Sequence, residues 1–146
     1  MTSLKKYLAA SLLVFLILSV TGCKKNDNPV TSNGSLTGTW VLSNITANTS
    51  SGTVTLTADQ ANVHITMVLK SDNSYQMTLV QGTSTTNDTG SYSTNNGSII
   101  FTSQDGTQQT WTYTISGSSL TAHTTMDLSA YGFPGQTPVT LVFNKQ

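Results

Sequence analysis

Trp111-Thr112-Tyr113-Thr114-Ile115-Ser116-Gly117-Ser118-Ser119-Leu120 decides the fold. Large apolar side chains alternate with threonines, the period of a strand with one buried and one wetted face. Ser116-Gly117 then supplies a position where positive φ is cheap, so the chain reverses in a tight hairpin. The same alternation runs outward in both directions. Val63, Ile65, Met67 and Leu69 share one face, with Val68 the exception, and Tyr75, Met77 and Leu79 follow suit. Val139, Leu141 and Phe143 repeat the pattern near the end. Asp72-Asn73, Asn96-Gly97 and Asp105-Gly106 mark further turns between the runs.

This rhythm predicts eight strands: 39–46, 63–70, 74–81, 88–94, 98–103, 108–115, 119–127 and 138–144. The fold class is all-β, an eight-stranded antiparallel up-and-down meander closing into a barrel, with a β-sandwich as the alternative. Pairing of the first strand with the last distinguishes them. Ala47 to Asn62 breaks the rhythm: Thr57-Ala58-Asp59-Gln60 has the form of a capping box for a short helix, and a plain long loop is the other reading.

Composition agrees. Six Lys and six Asp are the only charged residues, with no Arg and no Glu, and Ser and Thr supply 46 of 146 residues. Such a chain is poor helix material. With zero formal charge it has no phosphate-neutralising surface, which excludes nucleic acid as a partner.

At the amino end Lys5 and Lys6 precede an apolar run from Tyr7 to Val20. A run of 14 residues is shorter than the roughly 20 needed to span a bilayer and suits a secretory leader. Val20-Thr21-Gly22-Cys23 resembles the lipobox of bacterial lipoproteins. The resemblance implies cleavage before Cys23, the only cysteine, and acylation of its thiol. Lys24, rather than Asp, after that cysteine implies the outer membrane of the cell envelope, on its periplasmic or surface-facing side. The organisation expected is a leader (1–22), a lipidated flexible tether (23–35) and one barrel domain (36–146).

Leu36-Thr37-Gly38-Thr39-Trp40, Thr89-Gly90-Ser91-Tyr92-Ser93 and the opening decapeptide together resemble the lipocalin-like domain of small bacterial lipoproteins. The resemblance covers about 36–146. It implies that Trp40 closes one barrel end. Lipocalins proper cover that tryptophan with an arginine; here Lys145 is the basic residue placed to do so. Small eight-stranded barrels either fill with side chains or hold one small ligand; Tyr75, Met77, Leu79, Phe101, Trp111 and Tyr113 are expected to point inward and, in an open barrel, to line a cup for a small apolar or amphipathic molecule. A packed interior, and a β-sandwich adhesion or protein-interaction module with a solid core, are the competing expectations. Tyr131 and Phe133, among glycines and Pro134, are candidates for a lid over the open end.

No enzymatic chemistry is expected. His64 and His123 fall on polar faces, too few for a metal site. No serine sits in a Gly-x-Ser-x-Gly elbow, and there is no Cys-x-x-Cys or phosphate-cradling loop. Asp59, Asp72, Asp88, Asp105 and Asp127 read mostly as turn residues bonding their own backbone. No cofactor is expected.

Overall fold

The alternating runs become strands that pair in sequence order. The computed structural model describes residues 34–49, 52–129 and 135–146. Its elements are β1 (Gly38–Thr49), β2 (Gly52–Thr57), helix α1 (Ala58–Ala61), β3 (Val63–Leu69), β4 (Ser74–Gln81), β5 (Ser84–Asn95), β6 (Ser98–Ser103), β7 (Gln108–Ser116), β8 (Ser119–Asp127) and β9 (Gln136–Lys145). From β3 onward each strand pairs antiparallel with the next, and β1 pairs with both β3 and β9. The ring of β1 and β3–β9 is therefore a closed eight-stranded barrel. Trp40↔Lys145 and Leu42↔Phe143 join the first strand to the last, so the two-sheet sandwich does not form.

The segment between the first two barrel strands corrects the expectation. It is neither a loop nor a helix alone: β2 pairs with the distal half of β1 from Asn44↔Thr57 to Thr49↔Gly52, and α1 follows. The capping box is present, with the Thr57 hydroxyl accepting from the Gln60 N–H and the Gln60 side chain accepting from the Thr57 N–H. Asn62 ends the helix in the left-handed conformation, φ 51°. The barrel takes only Gly38–Val41 of β1 against β3, so the outer half of that edge of β1 is free to take β2.

Alternation sets which side chains enter the barrel. A bulge between Leu42 and Asn44 shifts the phase of β1, so Trp40 and Leu42 and then Ile45 and Ala47 all point inward. The β1 start, the ends of β3, β5, β7 and β9, and the turns at 70–73, 96–97 and 117–118 share one end of the barrel. That end is filled. Trp40, Leu69, Ile115, Leu120 and Phe143 are all at most 2% exposed. Trp40 donates its indole N–H to the Leu36 carbonyl at 2.7 Å. Lys145 Nζ lies 5.2 Å from the Trp40 ring centroid and donates to the Ser35 carbonyl at 2.8 Å. The expected basic cover over the tryptophan is thus lysine plus the incoming chain. Cys23, Tyr131 and Phe133 lie outside the described residues.

Candidate functional site

The other end of the barrel is a cup. Above the filled layers, Tyr75, Phe101, Trp111 and Phe143 form a ladder across the interior. The Tyr75–Phe101 and Phe101–Trp111 pairs meet edge-on at 5.0 Å, and Trp111 stacks on Phe143 at 6.2 Å. Over this ladder opens a cavity of about 210 Å³, walled by Ile65, Met77, Leu79, Trp111, Met126 and Leu141. Thr86, Asp88, Gln109 and Thr124 bring polar groups to it.

Of the six residues proposed from sequence to line a ligand site, Met77, Leu79 and Trp111 border the cavity. Tyr75 and Phe101, 1% and 2% exposed, belong to the packed layer beneath it. Tyr113 is partly buried against the core toward the filled end, its N–H bonded to the Gly97 carbonyl. His64 and His123 are exposed on the outer surface, His64 3.7 Å from Asp59 and His123 Nδ1 2.9 Å from the Thr140 hydroxyl.

Asp88 is not a turn residue. It pairs with Met77 in the middle of the β4–β5 ladder, and therefore points into the barrel. Its Oδ2 accepts from the Tyr75 hydroxyl at 2.6 Å and from the Ser103 hydroxyl at 2.9 Å, and those two hydroxyls lie 3.1 Å apart. The signal was in the sequence. Counting back by twos from the buried Tyr92 through Gly90 places Asp88 on the inner face, provided the strand begins before residue 88, and it begins at Ser84.

Gly90 makes the network possible. It stands opposite Tyr75 on β4 and opposite Ser103 on β6. A Cβ there would collide with the Thr102 carbonyl oxygen. The bare position lets the strands close up between the tyrosine and the serine that both reach Asp88.

The wall beside Asp88 is incomplete. Ladder pairing of β5 with β6 stops at Gly90↔Ser103; one further bond runs from the Gln104 N–H to the Thr89 carbonyl, and Ser84–Asp88 has no backbone pairing with β6. A wide polar vestibule of about 460 Å³ occupies this notch, bordered by Thr86, Asp88, Ser103, Asp105 and Gln109. Asp88, Thr86 and Gln109 border both spaces, so the carboxylate stands between the vestibule and the apolar cup. In the turn below, the Thr107 N–H donates to Asp105 Oδ1 at 2.8 Å and holds that carboxyl below the usual range.

Burial raises the Tyr75 phenol above its ordinary value of 10.0, and its hydrogen bond to Asp88 adds to the rise. The unfolded phenol ionises first on going alkaline. The stabilisation is thus whole below pH 10.0 and is lost as pH climbs through the folded value. Denaturant midpoints measured from neutral pH to about pH 11 should fall more steeply for the wild type than for Tyr75→Phe. Equal slopes would mean that Tyr75 is not held protonated by this network.

The family model of the lipocalin-like domain matches residues 36–122, from the strand carrying Trp40 to the middle of β8. No curated protein matches the chain. A closed eight-stranded meander, a Gly-x-Trp first strand sealed by a basic residue, and this match over more than half the sequence place the chain in the family of lipocalin-like domains.

Proposed function

We propose that the protein is a non-catalytic, envelope-anchored carrier that holds a small amphipathic molecule in the cup of its barrel. The observation that carries this reading is the asymmetry of the interior: one half is filled, and the other is an apolar cavity of about 210 Å³ reached past polar groups. Pre-formed concavity with apolar walls and a few convergent polar groups is the usual form of a small-molecule site. Met77 and Met126 add unbranched, polarisable walls that adapt to different shapes.

Calorimetric titration of the purified full-length chain with hexanol should give saturable binding. Leu79→Phe, which places a larger ring in the cup, should abolish it while leaving the circular dichroism spectrum unchanged. Absence of saturable binding in the wild type, or equal binding in the variant, would remove the cup as the site.

The anchor rests on Val20-Thr21-Gly22-Cys23 and the leader before it. More than one acyl chain, at about 0.8 kcal/mol per buried CH₂, holds a protein firmly at a membrane. In cells fed labelled palmitate, the wild type should extract only with detergent and carry label. Cys23→Ser should carry none. Label persisting in the variant, or a wild type wholly soluble and unlabelled, would disprove the assignment.

A further inference from the structure

We infer that the cup selects an organic cation, a primary amine carried on a short apolar body, with Asp88 as its counter-charge. The inference rests on the cup being the binding site and names what it takes. Among the described residues Asp88 is the one acid bordering the cavity, whose apolar walls are Ile65, Met77, Leu79, Trp111, Met126 and Leu141. Both hydrogen bonds it accepts from described residues end on Oδ2. Its Oδ1 accepts none among them.

A ligand that fills the cup strips water from this carboxylate. An alkyl chain alone gives nothing back, and an uncompensated carboxylate out of water is costly. A second carboxylate adds like-charge repulsion. An ammonium group reverses the sign: it supplies up to three donors and a positive charge, and the bond it makes to Oδ1 is charge-assisted. Gln109 and Thr86, on the same border, offer further acceptors for the remaining donors.

The surroundings agree. The vestibule carries a second carboxylate, Asp105, and neither it nor the cup is bordered by a lysine among the described residues. Lys70 and Lys145 both sit at the filled end. A divalent metal is the other class of cation, but it asks for several oxygen or nitrogen ligands at once. Among the described residues no three His, Cys, Asp or Glu side chains converge. One carboxylate in an apolar cup suits a singly charged organic group.

The test compares hexylamine, hexanol and hexanoate, which share one apolar chain, by calorimetry at neutral pH on the full-length protein. The wild type should bind hexylamine at least tenfold more tightly than hexanol, and hexanoate most weakly. Asp88→Asn should weaken hexylamine, strengthen hexanol because a neutral amide gives up its water at less cost, and so bring the two to within about twofold of each other. Hexanol and hexylamine binding equally to the wild type would overturn the inference while leaving the cup as a ligand site. So would an amine preference that survives in Asp88→Asn. If none of the three binds, the cup itself fails, and this inference with it. Should Asp88→Asn not fold, the wild-type ratio of amine to alcohol affinity decides alone.

Discussion

Trp40→Ala is expected to destabilise the barrel by about 3–5 kcal/mol, the largest loss of any single side-chain truncation at the filled end. The ring is 0% exposed, and its N–H is bonded to the Leu36 carbonyl at 2.7 Å. Removing it opens a void between β1, β3 and β9 and releases the segment Ser35–Leu36 that closes over it. Lys145→Ala is the matching control. It deletes the cation held 5.2 Å above the same ring, a contact worth about 0.5–1 kcal/mol where solvent reaches it. Urea unfolding of both variants should give a several-fold difference in lost stability. A Trp40→Ala variant within 1 kcal/mol of wild type, on the order of a surface change, would mean that the tryptophan does not seal the barrel.

Gly90→Ala is expected to cost about 3 kcal/mol, at the upper end for insertion of a methyl group into packed structure. The obstacle is backbone: the Thr102 carbonyl carbon would lie 2.9 Å and the Ser103 Cα 3.0 Å from the added carbon, closer than non-bonded carbons sit. No rotamer change relieves this, so β5 and β6 must part where Ser103 reaches Asp88. Loss of stability should therefore come with loss of any ligand selectivity that depends on Asp88. Gly135→Ala, with open space around the added carbon, should fall within about 0.5 kcal/mol of wild type. Equal midpoints for the two variants in denaturant would refute the steric argument.

Much of this architecture can be read from side-chain alternation, because a period of two fixes a strand's inner and outer faces. Val63 to Leu69 and Trp111 to Ile115 show those faces in the barrel as they do in the sequence. Height along the barrel axis is another matter. Tyr75 and Met77 share a face, yet one is packed into the ladder and the other borders the cup, because stagger between strands sets depth and no local pattern encodes stagger. Val54 and Leu56 alternate with threonines as clearly as any barrel strand, yet β2 was obscured by the helix signal directly after it. Asp88 was hidden by its type. Aspartate is a turn residue by propensity, and at the first position of the expected 88–94 strand it reads as the end of a turn, whereas the extension of β5 back to Ser84 sets it in mid-strand, pointing inward.

The chain enters the barrel at its filled end. Ser35 and Leu36 lie against Trp40 and Lys145, and the cup opens at the opposite pole. A lipid on Cys23 would therefore moor the molecule by its base. Cys23 to Gly34 reaches at most about 40 Å when fully extended, so the barrel would stay within that distance of the membrane, joined to it by the end opposite the mouth. A mouth at the pole away from the tether would be open to cargo arriving through water, which suits a charged, sparingly lipid-soluble guest. The membrane would then serve as a mooring that concentrates receptors at a surface, not as the reservoir from which they are filled.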